Sequence, residues 1–233
     1  MKNIFQQIWN KKHFDNSRSR SFKEIIGHYE IKEILNKAIV SKNPVHILLV
    51  GRPGSAKTMF LLEINRLFKS SIFVVGSNTT KAGLTNQLFD SRPKFVLVDE
   101  LEKMRYSDQN SLLHLMENGI VSETKVNKTR EMVLRSSIFA NANSCTKIIE
   151  PLLSRFLVVK IPYYSFEEFM DIAVFQLKKE KMDGITAIAI SHTVWQELEK
   201  RDIRDVIKIG RLARNIQEAE LIIRILKRNE DKT

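Results

Sequence analysis

Apolar residues along this chain follow two periods. Ile47-Leu48-Leu49-Val50 and Phe95-Val96-Leu97-Val98 are short unbroken apolar runs, the pattern of strands buried on both faces. From Ile31 to Val40 the apolar positions have helical spacing, Asn43-Pro44 ends that segment, and Val45 to Val50 reads as a strand. A second helix opens over Thr58 to Ile64. Ser71 to Val75 is another β-rich run that leads into a polar Gly76-Ser77-Asn78-Thr79-Thr80 stretch.

Phe95 to Val98 ends in two acidic residues. Ser107-Asp108-Gln109 then starts a helix whose apolar face is Leu112, Leu113, Leu115 and Met116, closed by Asn118-Gly119. Residues 120 to 135 alternate in the β manner about Asn127-Lys128-Thr129, which predicts a hairpin. Ser137 to Ala140 and Leu157 to Ile161 are the last strands. Beyond Pro162 the spacing is helical over about 166–181, 187–200 and from Asp202 onward.

Strands alternating with helices predict an α/β fold with a parallel sheet between helices, followed by a small all-α domain. The expected division is a basic arm over 1–20, the α/β domain over 21–162 and the helical domain over 163–233. The arm carries Lys2, Lys11, Lys12, Arg18 and Arg20 against Asp15, and could touch a partner.

Composition narrows the function classes. With 43% hydrophobic and 28% charged residues in 233, the chain can bury a substantial core. It holds no apolar run long enough for a membrane span and no signal-peptide pattern, so a cytoplasmic protein is expected. Cys145 is the only cysteine, read as a packed residue, and the histidines lack metal-site spacing. A net charge of +11 favours an anionic partner such as nucleic acid, although a solvated basic surface would give the same number.

The sharpest chemistry is Gly51-Arg52-Pro53-Gly54-Ser55-Ala56-Lys57-Thr58, set between a strand and a helix. Backbone N–H groups in such a turn cradle phosphates, Lys57 adds positive charge, and the Thr58 hydroxyl suits Mg²⁺. The strict motif has Gly where this chain has Ala56. Asp99 and Glu100 end the Phe95 run, and the expected place for a Mg²⁺-associated acid is a strand adjacent to the loop strand. Asp99 would hold Mg²⁺ through water, and Glu100 would orient and deprotonate the attacking water.

These motifs together resemble the AAA+ ATPase superfamily over about residues 21 to 215. Gly-x-Pro-Gly-x-Ala-Lys-Ser/Thr is similar to the loop of minichromosome-maintenance (MCM) helicases, as are Gly83-Leu84-Thr85, Glu102-Lys103-Met104 and Leu115-Met116-Glu117-Asn118-Gly119. The resemblance implies a P-loop sheet domain with a helical lid, ATP and Mg²⁺ as ligands, and a homo-oligomeric ring, with a hexamer as the expected size. It places Ile26 and Gly27 against adenine.

By the same resemblance Asn143 is the sensor of the attacking water, with Asn141 as the register alternative. Arg155, in Leu152-Leu153-Ser154-Arg155-Phe156, is an arginine finger acting on the next subunit, the plainer reading being a pairing with an acid. Arg204 is a sensor of the γ-phosphate, with Arg211 as second candidate. The hairpin is similar to the pre-sensor-1 hairpin of the MCM and RuvB-type branch, where Lys125, Lys128 and Arg130 would meet DNA phosphates; an exposed edge kept soluble by charge is the plainer reading. A helicase or branch-migration motor on DNA is the leading function. A MoxR-type protein-remodelling chaperone and an ATP-switched loader are the alternatives. The chain shows no oligosaccharide-binding, zinc-binding or winged-helix region of the kind those families carry.

Overall fold

The structure, a computed structural model, describes residues 22–125, 128–199 and 201–230; the expected basic arm lies outside them. The chain divides into two compact units, the first ending at Ile161 and the second starting at Pro162, with Pro53–Ser55 grouped with the second.

In the first unit, α1 (Tyr29–Ile39) buries Ile31, Leu35, Ala38 and Ile39, the spacing of one helical face. Strand β1 (Ile47–Val50) runs into the glycine loop, and α2 (Lys57–Leu67) starts immediately after it, burying Phe60, Leu61 and Ile64. After β2 (Ser71–Val75) comes a helix the apolar pattern did not mark, α3 (Lys81–Ser91). Its start was encoded by a cap: the Thr80 hydroxyl accepts the Gly83 N–H at 3.2 Å. Only Leu84 and Leu88 supply fully buried apolar side chains, too short a stripe to stand out in sequence.

Strand β3 (Phe95–Asp99) is followed by α4 (Tyr106–Asn118), the antiparallel pair β4 (Ile120–Lys125) and β5 (Lys128–Val133), and β6 (Ser137–Ala142). The short helix α5 (Glu150–Leu153) and β7 (Leu157–Lys160) complete the unit. Lys125 pairs with Lys128 at the hairpin end, and Asn127 of the predicted turn lies outside the described residues. Lys128 and Thr129, predicted with it, are used as strand.

The five-stranded sheet is parallel, in the order β2-β3-β6-β1-β7. The apolar runs of β1, β3 and β6 are buried on both faces. Leu48, Val96, Val98 and Ile138 face one core with Leu84, Leu88, Leu112 and Leu115, while Ile47, Leu49, Phe95, Leu97 and Phe139 face the other with Leu35, Phe60 and Ile64.

One expectation is overturned here. The acidic strand β3 is not adjacent to the loop strand β1, because β6 lies between them. Strand order is invisible in the apolar pattern: runs buried on both faces are interchangeable until neighbours select them.

Among the described residues, the second unit holds four helices. Ser165 and Glu168 form a capping box that starts α6 (Phe166–Lys179), and Asp183 caps α7 (Gly184–Glu197) three residues ahead of the predicted start. Asp202 caps α8 (Ile203–Leu212). The predicted helix from Asp202 onward is in fact two, since α9 (Ile216–Glu230) begins anew where the Asn215 carboxamide accepts the Glu218 N–H at 2.9 Å. Phe169, Leu177, Ala187, Ile190, Val194, Val206, Ile209 and Ile223 form its core.

His46 supplies a pH-dependent element. Its Nδ1 accepts the Ile138 N–H at 3.1 Å, and burial lowers its pKa from 6.5 to about 4. The unfolded chain takes up this proton near pH 6.5 and the folded chain only near pH 4, so stability held above 6.5 is lost as pH falls through that window. Melting temperature measured between pH 7 and pH 5 should therefore fall more steeply in the native chain than in His46→Asn.

Candidate nucleotide site

The loop between β1 and α2 is shaped by two left-handed residues, Gly54 at φ 82° and Ala56 at φ 61°. Glycine suits position 56 in the strict motif because an L side chain in this region costs about 1 kcal/mol. Ala56 adopts that left-handed backbone despite its Cβ. Lys57 opens α2 and turns back across the loop, its Nζ donating to the Gly51 and Arg52 carbonyls, each at 2.7 Å.

Four polar groups converge beside it. The Thr58 hydroxyl donates to Asp99 Oδ1 at 2.9 Å, and the Asn141 carboxamide donates to the same oxygen at 2.5 Å. Asn141 Nδ2 also lies 3.4 Å from Thr58 Oγ1, and its Oδ1 accepts the Glu100 N–H at 2.8 Å. One buried side chain on the intervening strand thus ties the loop threonine, the first acid and the backbone of the second. Leu49 on β1 is its register partner, which is why the amide reaches both sides.

Glu100 sits in a left-handed turn at φ 55°, and its Oε1 accepts from Lys103 Nζ at 2.7 Å. The Glu100 carboxylate raises the Lys103 pKa. The turn is packed so closely against Gly76 that a Cβ there would fall 2.3 Å from the Glu100 carbonyl oxygen. Asn143 is placed elsewhere: its side-chain amide and backbone N–H both donate to Glu102 Oε1, at 2.9 and 3.0 Å.

The segment carrying Ile26 and Gly27 is anchored on α2. Phe22 meets the Phe60 ring edge-on at 5.4 Å, His28 lies 6.2 Å from the same ring, and Ile25 is buried in that core. Lys32 donates to the Ile25 carbonyl, and burial lowers its pKa. The turn is thereby fixed to the helix that opens at Lys57.

Four further candidate arginines are paired within the chain. Arg155 donates to Glu117 and to the Pro151 carbonyl. Arg204 pairs with Asp202 at 2.5 Å, and Arg211 with Glu180 at 2.7 Å. Arg130 pairs with Glu123 across the hairpin at 2.8 Å, donates to Asn86 and stacks on Phe89 at 4.1 Å. Lys125 and Lys128 are register partners at the hairpin end. The Cys145 thiol, partly buried, has a pKa raised by desolvation, consistent with packing rather than nucleophilic chemistry.

The donor set fits MgATP. Thr58 and Asp99 present hard oxygens 2.9 Å apart, and the Lys57 ammonium and a left-handed nest stand at the same loop. Sequence reasoning did not single out Gly76, Lys103 or the role of Glu102. Gly76 could have been found only as a glycine directly after an apolar strand, and the other two only by their closeness to Glu100.

The comparisons agree with this geometry. The family model described as the MCM P-loop domain matches residues 4–95. The minichromosome maintenance protein MCM of Saccharolobus solfataricus is 27% identical over 146 residues, covering 51% of this chain and 21% of that protein. A Replication factor C small subunit of Pyrobaculum islandicum is 26% identical over 220 residues, covering 86% of this chain and 61% of the other. The Thermotoga maritima RuvB Holliday junction branch migration motor superposes with a TM-score of 0.67 at 17% identity, covering 90% of this chain and 72% of that one. The chain thus spans about a fifth of the length of the MCM relatives it matches.

The network makes a prediction about stability. Asn141→Leu, which removes a hydrogen bond from Asp99 Oδ1 and leaves the Glu100 N–H without its acceptor, should lower unfolding free energy by roughly 1–3 kcal/mol in urea titration. Asn143→Leu, acting on Glu102 instead, should leave the Thr58–Asp99 contact in place.

Proposed function

We propose that this chain, an AAA+ P-loop ATPase domain resembling the MCM P-loop domain in sequence and RuvB in fold, couples MgATP hydrolysis to conformational work on DNA within a homo-oligomeric ring. The observation that carries the ATPase reading is the shared Asp99 oxygen, held by Thr58 and Asn141 while Asn141 grips Glu100.

In this reading the backbone of Gly51 to Thr58 cradles the phosphates, and Lys57 exchanges its loop carbonyls for phosphate oxygens. Magnesium, when bound, neutralises charge on those oxygens. Thr58 and Asp99 hold it, Ile26 and Gly27 lie against adenine, and Glu100 takes a proton from the attacking water. The hydrogen bonds favour Asn141 over Asn143 as the β6 residue acting at this site, with Asn143 orienting Glu102. Lys103 holds Glu100 through one oxygen and must yield or share it when Glu100 acts as base. Arg155 completes the site of the neighbouring copy, and Arg204 responds to the γ-phosphate after leaving Asp202.

DNA as the substrate is supported by the charge of +11 and by relatives named as DNA replication licensing factors and a Holliday junction motor. Arg130 is committed to Glu123, Asn86 and Phe89, so the proposed phosphate contact of the hairpin falls to Lys125 and Lys128. The ATP-switched loader is the second reading, favoured by the Replication factor C match over 86% of the chain.

The test is steady-state ATP hydrolysis with and without single-stranded, duplex and junction DNA. Stimulation that fades steeply with salt is expected, and no response to any DNA form would refute the DNA reading. Glu100→Gln should lower turnover by about 10²- to 10⁴-fold while retaining MgATP binding; undiminished turnover would remove Glu100 from its role.

A further inference from the structure

The contacts of Arg155 point to a residue outside the nucleotide loop that governs how this arginine is delivered. Its guanidinium is held at two points, by the Pro151 carbonyl one turn earlier and by the Glu117 carboxylate from the last turn of α4. A guanidinium has five N–H donors in a rigid fork, so a carboxylate and a carbonyl can fix its plane and leave other donors for a phosphate. Both side chains are about one-third exposed, so the pair lies where an incoming group can meet it.

The same helix fixes the other end of α5. Gln109, fully buried, donates its amide to the Met104 carbonyl at 3.0 Å and the Lys147 carbonyl at 2.9 Å, and accepts the Ile149 N–H at 2.9 Å. Helix α4 therefore clamps the entry of α5 through Gln109 and the arginine after its exit through Glu117. A four-residue helix has little rigidity of its own, so the direction of Arg155 is set by α4.

We propose that Glu117 is a positioning residue for Arg155. It orients the guanidinium for the phosphate of a neighbouring copy, and its effect on hydrolysis is exerted in that neighbour's site. This rests on the proposal that Arg155 acts in trans. The sequence reading treated an acid partner as the alternative to that role, whereas the fork geometry allows one carboxylate to serve both.

The experiment uses mixed full-length chains. A Glu100→Gln chain, which lacks the base but keeps Arg155, is mixed with an Arg155→Ala chain, which keeps the base but lacks the arginine, and ATP hydrolysis is measured. Recovery of activity in this parent mixture supports Arg155 in trans, and no recovery overturns both that reading and the present one.

Glu117→Ala is then added to one chain at a time. In the Glu100→Gln donor it should lower the recovered kcat by about tenfold, with KM for ATP nearly unchanged, because the arginine is misaimed. In the Arg155→Ala acceptor it should leave the rate alone. Glu117→Gln, which keeps the length and an acceptor oxygen, should restore part of the donor's effect. Equal losses in both arrangements, as damage to α4 would produce, no loss in the donor, or a rise in rate would each overturn the proposal.

Discussion

The nucleotide site depends on one buried carboxamide. Asn141 lies on β6 between the strand that feeds the phosphate loop and the strand that ends in acids, and both its polar atoms engage the acidic end. The nitrogen reaches Asp99 and Thr58, while the oxygen takes the Glu100 N–H. An apolar residue here would leave the Glu100 N–H without its acceptor and remove one of the two hydrogen bonds to Asp99 Oδ1. A polar side chain this deeply placed is tolerated only because both its polar atoms are satisfied.

Around that link the molecule separates permanent contacts from exchangeable ones. The apolar strands, the Phe22–Phe60 contact and the fully satisfied Gln109 amide are buried and fixed. Lys57 on loop carbonyls, Lys103 on Glu100 and Arg204 on Asp202 are different. Each is a cation resting on a partner that a phosphate could replace. Water screens the exposed pairs, so exchanging them costs little. Such an arrangement suits an enzyme whose polar side chains must rearrange while its sheet stays still.

The hairpin shows how charge can mislead. Arg130 looked in sequence like one of three equivalent cations, yet its position opposite Glu123 and above Phe89 makes it part of the packing between the hairpin and α3. Residues two apart on a strand share a face, so alternation does not set Arg130 apart from its neighbours; only its packing against α3 does.

The sequence by itself determined the elements and the core of the chemistry. Runs such as Ile47 to Val50 could only be doubly buried strands, and the order strand, glycine loop, helix could only place Lys57 and Thr58 at a helix start. Local capping chemistry at Thr80 and Asn215 was also written in the chain, although the weak apolar stripe of α3 and the continuous helical spacing after Asp202 concealed it. Tertiary structure alone decided which strands are neighbours, because equally apolar strands carry no label. It therefore decided that β6 lies between β1 and β3, that Asn141 rather than Asn143 meets Asp99, and that Glu117 meets Arg155 across 38 positions of chain. Spacing encodes contacts within a turn or two; those made across a sheet exist only once the strands have been ordered.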